Sequence, residues 1–180
     1  MASSYAKNYA INAVVIFVGL LFYLLLFNFI IASADLTWLQ RAEAVAVSSV
    51  QNYIGINSTY NSSDISITYG DPQFSVMIIA LCTGVGEILF FAFLVLLIRG
   101  PKPRTKLKGL VIFLPLIFII NFIRLLAVQP LAAWLGVGAM WDVHWLIWKY
   151  GMFAVLMALF AAWVLVFARK DLDRHITDKK

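Results

Sequence analysis

The chain has 180 residues, of which 63% are hydrophobic, 15% aromatic and only 13% charged. Soluble domains average about half apolar and a quarter charged residues, so this composition excludes both an ordinary soluble domain and a disordered chain. The net charge of +5 is typical of some nucleic-acid-binding proteins, but the basic residues are placed as in a membrane protein, which excludes that class. The one cysteine, Cys82, excludes an intrachain disulfide.

Four apolar stretches are long enough to cross a bilayer, which takes about 20 residues in an α-helix. They cover residues 11–32, 74–98, 107–128 and 145–168. The predicted fold is an all-α polytopic membrane protein, a four-transmembrane-helix bundle that forms a single membrane domain over residues 1–180. The first stretch is longer than the apolar region of about 7–15 residues in a signal peptide, so we expect an uncleaved helix.

The distribution of Lys and Arg predicts the orientation, because short cytoplasmic loops collect these residues. Eleven of the 14 basic residues precede the first stretch, lie in or beside loop 99–106, or lie in tail 169–180. Segment 33–73 holds one basic residue, Arg41, against four acidic ones. We therefore expect a protein of the cell membrane with both termini and loop 99–106 in the cytoplasm, and with segment 33–73 as an outer loop.

The outer loop has two patterns of its own. Apolar residues recur at steps of three and four between Leu36 and Tyr53, which predicts an amphipathic helix lying on the bilayer. The polar residues on its other faces are Gln40, Glu43, Ser48 and Gln51. The alternation from Ile65 to Tyr69 then predicts a half-buried strand, compatible with a short β-hairpin over residues 54–70.

Ionisable residues inside the predicted spans require a structural or functional explanation, because inserting each into the membrane costs about 2.5–3.5 kcal/mol on insertion scales. Glu87, Arg124 and Lys149 lie within predicted spans, and His144 stands at the mouth of the fourth. A helical rise of about 1.5 Å per residue places Cys82 about 10 Å and Arg124 about 6 Å below the outer boundary. Three segments therefore bring a thiol, a guanidinium and an imidazole to a similar depth.

These three residue types favour acyl transfer through a thioester. Free cysteine is mostly protonated at neutral pH, and the thiolate is the nucleophilic form. Arg124 stays charged almost anywhere and could stabilise a thiolate or a developing oxyanion. His144 could accept the proton of the Cys82 thiol and return it to a leaving amine.

Structural interpretations of the same residues stay open. Cys82 could be inert packing, Arg124 could be the structural partner of Glu87, and His144 could belong to an interfacial aromatic belt. The chain would then be a non-catalytic membrane transporter or assembly subunit. A metal site of Cys82 and His144 is a further alternative, although two ligands fall short of the three or four usual for zinc. Lys149 is expected to extend to the interface.

The motifs Cys82-Thr83-Gly84, Asn121-x-x-Arg124 and His144, each at the outer end of a successive predicted helix, resemble the exosortase/archaeosortase family. The resemblance covers residues 74–168. It implies a membrane cysteine transpeptidase or peptidase that cleaves a C-terminal sorting signal of exported proteins on the outer face. Such a signal consists of a short recognition motif, a transmembrane helix and a basic cluster.

The resemblance also implies roles for individual residues. Cys82 would be the nucleophile, Arg124 the family's arginine and His144 the third catalytic position. The new C-terminus would pass to a membrane lipid or another amine. We expect no cofactor, no metal and no nucleic-acid partner. Many members of this family have more membrane spans than the four predicted here, so the chain would be a short member.

Overall fold

The computed structural model describes residues 18–19, 21–169 and 171. The chain divides into two units, residues 1–34 and 35–180. In the first unit, helix α1 runs over Leu21–Ser33. It falls in the first predicted span, although residues 11–17, where that span was predicted to begin, lie outside the described residues. Most of the predicted tail 169–180 lies outside them as well.

The second unit begins with a helix and a small sheet. Helix α2 (Thr37–Tyr53) is followed by strands β1 (Ser58–Asn61), β2 (Ser66–Gly70) and β3 (Gln73–Met77). The sheet is antiparallel in the order β1-β2-β3. The helix and the hairpin thus occur where the sequence predicts them, and β3 is an addition that the hydropathy pattern does not predict.

Helix α2 buries three polar side chains together with Ala44 and Val47, and it exposes several apolar ones. Glu43, Ser48 and Gln51 are buried, whereas Val45 and Tyr53 are 45% and 91% exposed. Two of these side chains form hydrogen bonds: Ser48 bonds to Ser58 in β1, and Gln51 Nε2 donates to the main-chain carbonyl of Leu126. Exposed apolar side chains on a helix are stable where lipid covers them, which agrees with a helix at a membrane surface.

The second apolar stretch, residues 74–98, differs from the predicted single span. Its first residues form β3, because they pair with β2 in register from Ser66 opposite Met77 to Gly70 opposite Gln73. A short 3₁₀ helix follows at Ala80–Cys82, and helix α3 covers Val85–Leu97. A helix of 13 residues is shorter than the roughly 20 residues that cross the hydrocarbon core.

Two long apolar helical regions complete the chain. The first contains α4 (Pro103–Leu126) and α5 (Val128–Leu135), and the second contains α6 (Val137–Leu146) and α7 (Met152–Trp163). With the π-helical segments 147–151 and 164–168, these regions are 33 and 32 residues long, and both are apolar enough to span a membrane. The fold is mostly helical with two such regions, and the predicted count of four spanning helices is not confirmed within the described residues.

Two hydrophobic cores meet along α4. The first lies under the sheet, where Ile67 and Tyr69 pack with Leu125 of α4 and Val128 of α5. The second lies between α3, α4 and α7 and contains Ile117 of α4. The stretch of α4 between Ile117 and Leu125 carries two buried polar residues, so polar groups lie between the two cores.

Candidate functional site

Cys82 lies at the end of the short 3₁₀ helix, directly before α3. Its main-chain N–H donates to the carbonyl of Ile79 over 2.8 Å, and the Thr83 hydroxyl donates to the carbonyl of Ala80 over 2.7 Å. Gly84 follows with φ of +70°, a left-handed conformation that glycine adopts without steric cost. The Cys-Thr-Gly sequence therefore forms a tight turn that presents Cys82 at the start of α3.

Asn121 and Arg124 of α4 hold this turn by its main chain. The two residues are three positions apart and share a helix face. Asn121 Nδ2 donates to the carbonyl oxygen of Cys82 over 2.7 Å, and Arg124 Nη2 donates to the same oxygen over 3.3 Å. A Cβ atom on Gly84 would lie 3.1 Å from the Asn121 side chain, so glycine permits this close approach. The Cys82-Thr83-Gly84 motif and the Asn121-x-x-Arg124 motif are therefore in direct contact.

The role of Arg124 in stabilising a thiolate or a developing oxyanion stays a prediction, and the structure shows another hydrogen bond of its guanidinium. It goes to the main-chain carbonyl of Cys82. Arg124 Nη1 also lies 4.0 Å from Glu87 Oε1, an ion pair that agrees with the structural interpretation of these two residues. Nε and Nη1 of Arg124 are buried and have no hydrogen-bond partner among the described residues.

The three residues that the sequence singled out line one cavity of about 420 Å³. Cys82 comes from the short 3₁₀ helix, Arg124 from α4 and His144 from α6. His144 also contacts Trp141 edge to face, with the ring centroids 5.9 Å apart. The remaining lining residues are Ile79, Leu81, Trp141, Asp142, Trp145 and Trp148. The cavity is therefore mainly apolar and aromatic, with a thiol, a guanidinium, an imidazole and a carboxyl group at its wall.

A second cavity, of about 240 Å³, shares Arg124 and His144 with the first. Its other lining residues are apolar and come from both long helical regions: Ile120, Ile123, Ala127, Leu131, Ile147, Gly151, Met152 and Val155. Arg124 and His144 therefore stand between an aromatic cavity and an aliphatic one. Lys149 takes no part in either lining, and its Nζ lies 4.5 Å from the centre of the Trp145 ring.

The sequence analysis missed Glu43, which α2 buries beside the site. Only 2% of this residue is exposed, and neither carboxylate oxygen has a hydrogen-bond partner among the described residues. Burial raises the pKa of Glu43 to about 7, while the charge of Arg124 lowers that pKa and the charge of Glu87 raises it. The one indication of this residue in the sequence is an acidic position on a helix with an apolar face, a pattern that is equally typical of a hydrated surface.

The alternative of a metal site at Cys82 and His144 can be compared with the clusters of potential ligands in the structure. Over the described ranges, no group of three or more His, Cys, Asp or Glu side chains could hold a metal ion. Cys82 and His144 therefore belong to no such group, and a zinc site needs at least three protein ligands.

Comparison with known proteins identifies the family. The model of the family described as transmembrane exosortase (Exosortase_EpsH) matches residues 6–164. The chain belongs to the transmembrane exosortase family. Archaeosortase A of Haloferax volcanii is 36% identical to it over 55 residues, which is 31% of this chain and 18% of the length of that protein. No solved structure matches the chain.

The match confirms the family resemblance and extends it beyond residues 74–168. The part matched to the exosortase model includes α2 and the sheet as well as the helices that carry Cys82, Arg124 and His144. The chain spans less than a fifth of archaeosortase A, so that relative supports the family without defining a substrate or partner for this exosortase.

Proposed function

We propose that this exosortase is a membrane cysteine transpeptidase or peptidase that removes a C-terminal sorting signal from exported proteins. The observation that carries the proposal is the cavity of about 420 Å³ that has Cys82, Arg124 and His144 in its wall. Pockets of this size are typical of sites that bind small ligands. A thiol, a permanent cation and an imidazole are the groups that thioester chemistry requires.

In the first half of the reaction, Cys82 Sγ attacks the carbonyl carbon of the scissile peptide bond. The thiol proton passes to His144, and the negative charge that develops on the carbonyl oxygen is stabilised by the N–H groups of Arg124 that no described residue occupies. The C–N bond then breaks, and His144 donates its proton to the leaving amine. The product is a thioester between Cys82 and the new C-terminus.

In the second half, an acceptor amine or water attacks the thioester carbonyl. His144 accepts a proton from that nucleophile, and the proton returns to Cys82 as the sulfur leaves, so the enzyme is regenerated. A membrane lipid with an amine group is the acceptor that a site between membrane helices favours. Hydrolysis would use water in the same position and would leave a free carboxylate on the processed protein.

The side of the membrane and the substrate signal are part of the same proposal. The basic residues of loop 99–106 favour a cytoplasmic position for the start of α4. Arg124 lies near the other end of α4, so the cavity would face outward, where exported substrates are found. A substrate transmembrane helix would dock beside α4 and α6, with its basic cluster on the cytoplasmic side.

The test is a Cys82→Ala variant in cells that contain a candidate substrate with such a signal. We expect complete loss of processing, measured as substrate size on a gel, at an abundance equal to that of the wild type. Ser48→Ala serves as the control, because it also removes a small buried polar group but lies on α2 in contact with Ser58. Unchanged processing in Cys82→Ala would contradict the proposed nucleophile.

The ion pair between Arg124 and Glu87 favours a second candidate, a non-catalytic membrane subunit. In that case Cys82→Ala would change neither abundance nor processing, and Arg124→Ala would lower the abundance or assembly of the protein. Measuring abundance and processing for both variants separates the two functions. Crosslinking of a substrate helix only to α1 would contradict the proposed docking position.

A further inference from the structure

The carboxyl group of Glu43 lies buried beside the site without a hydrogen bond to any described residue. Leaving a buried ionisable group unpaired is expensive, because its charged form loses hydration without gaining a partner. Exposed positions are available elsewhere on α2, at Arg41 for example. A buried carboxyl group at this position therefore calls for a functional explanation.

Helix α2 is fixed against the elements that carry the site. It packs on α4 and on the short 3₁₀ helix of Cys82. Gln51 Nε2 donates to the carbonyl oxygen of Leu126 over 3.3 Å, two residues beyond Arg124. The side chain of Glu43 is therefore held at a constant place relative to the end of α4.

The charged and titratable groups around Glu43 come from four elements. Arg124 of α4 and Glu87 of α3 both act on its pKa, in opposite directions. Cys82 of the 3₁₀ helix interacts with Glu43 electrostatically. Tyr69 of β2 lies on the sheet side of α2, where its hydroxyl interacts with Gln51. Arg124 is the cation in this set and is the natural partner of the Glu43 carboxylate.

Arg124 and Glu43 are complementary in their unused hydrogen-bonding groups. Nε and Nη1 of Arg124 are donors without a partner among the described residues, and both Glu43 carboxylate oxygens are acceptors without one. The Glu87 contact, at 4.0 Å, is longer than a hydrogen bond. A guanidinium has five N–H groups, so it can bind a carboxylate and still serve a second acceptor.

We propose that Glu43 is a positioning residue that acts through Arg124. Its carboxylate pairs with the guanidinium from the α2 side and fixes the direction in which the remaining N–H groups face the reacting carbonyl. This inference rests on the proposed function for its catalytic consequence, but the pairing itself can be tested without a substrate.

The pairing depends on pH in a defined direction. With a pKa of about 7, Glu43 is ionised and can pair with Arg124 above that pH. Below it, the carboxyl group is protonated and neutral, and the charge-assisted pairing is lost. The contribution of Glu43 is therefore present at higher pH and disappears as the pH falls through about 7.

The first experiment measures processing of a substrate against pH by Glu43→Gln, Glu43→Asp and the control Ser48→Ala in membranes, at equal abundance. We expect Glu43→Gln to slow processing about 10- to 100-fold, by analogy with the range found for residues that orient the ligands of a metal ion. It should also displace the rising limb of the pH profile near neutrality. Glu43→Asp should restore part of the rate, and Ser48→Ala should keep the wild-type profile.

The second experiment needs no substrate, because Cys82 is the one cysteine of the chain and can be labelled selectively. The rate of alkylation of Cys82 by iodoacetamide is measured for wild type, Glu43→Gln, Arg124→Gln and the double variant. If Glu43 acts through Arg124, Glu43→Gln changes the alkylation rate in the wild-type background but not in the Arg124→Gln background.

The proposal is overturned if Glu43→Gln leaves the alkylation rate unchanged, or changes it equally in both backgrounds. A processing rate and pH profile equal to those of Ser48→Ala would overturn it as well. These outcomes differ from failure of the proposed function, which would appear as wild-type processing by Cys82→Ala whatever happens to the alkylation cycle.

Discussion

The two ends of α4 carry polar clusters of opposite character. At its beginning, Asp171 Oδ2 accepts hydrogen bonds from the Thr105 hydroxyl over 2.6 Å and from the Lys102 N–H over 3.2 Å. At its other end, Arg124 keeps two buried nitrogens without a hydrogen-bond partner among the described residues. In the first cluster, Asp171 accepts hydrogen bonds from groups at the start of the helix, as a capping residue does. The second retains donors that no described residue uses, and a buried group of this kind needs an acceptor, which the Glu43 carboxylate and a bound substrate would supply.

This contrast predicts that the two clusters respond differently to substitution. Changes around Arg124 should reduce processing more than folding stability. Changes around Asp171 should reduce stability and leave the processing rate per folded molecule unchanged. Substitutions at Arg124, Gly84 and Thr105 test the difference.

Arg124→Lys should reduce processing about 100- to 1,000-fold, the loss found when one donor to an oxyanion is removed. Lysine keeps the positive charge but lacks the planar fork that can bind the Cys82 carbonyl and a second acceptor together. The measurement is the rate of substrate processing at equal protein abundance. Arg104→Lys, on an exposed position of the same helix, is the matched control. Equal rates for the two variants would mean that charge alone suffices at position 124.

Gly84→Ala should lower the free energy of unfolding by about 1–2 kcal/mol, the cost of a left-handed conformation for a residue with a Cβ atom. The new Cβ would also press on Asn121 at 3.1 Å and disturb its hydrogen bond to Cys82, so processing should fall as well. Chemical denaturation in detergent and the processing assay measure the two effects.

Gly138→Ala is the control for that prediction, because a Cβ atom there meets nothing within 4 Å and the residue lies inside α6. Alanine in a helix interior is more stable than glycine by about 0.5–1 kcal/mol, so this variant should be neutral or slightly stabilised. If both glycine variants behaved alike, the turn after Cys82 would not depend on the φ of +70° at Gly84.

Thr105→Val should cost about 1 kcal/mol of stability, the net value of one hydrogen bond, and should leave processing unchanged. The substitution removes the hydroxyl that donates to Asp171 while it keeps a side chain of similar shape. Its effect on the unfolding midpoint should be close to that of Asp171→Asn. Loss of processing without loss of stability would show that the beginning of α4 is coupled to the site.

Several features of the fold were predictable from local pattern. The helix over residues 36–53 and the hairpin over residues 54–70 follow apolar periodicity, and the structure has α2 and the β1–β2 pair there. The apolar stretches that end in Val128 and begin at Trp145 lie in the two long helical regions. The resemblance based on Cys82, Asn121, Arg124 and His144 agrees with the family match.

Other features depend on contacts between distant segments. Hydropathy does not distinguish an apolar strand from an apolar helix, so residues 74–77 were assigned to a span, whereas pairing with β2 makes them part of a strand. Glu43 was not singled out, because the sequence does not reveal that the polar face of α2 packs toward α4. The hydrogen bonds to the Cys82 carbonyl were equally unpredictable, because every residue has a main-chain carbonyl and the sequence does not show which one accepts a bond.

Local composition was enough to identify a membrane protein, its apolar segments and the polar residues that are unexpected in them, because burying charge in lipid is costly. The cavity shared by three residues, the hydrogen bond of Arg124 to the Cys82 main chain and the burial of Glu43 became apparent from the three-dimensional fold. These relations join α2, α4, α6 and the turn at Cys82, and the distances between them are set by packing between segments that lie far apart along the chain.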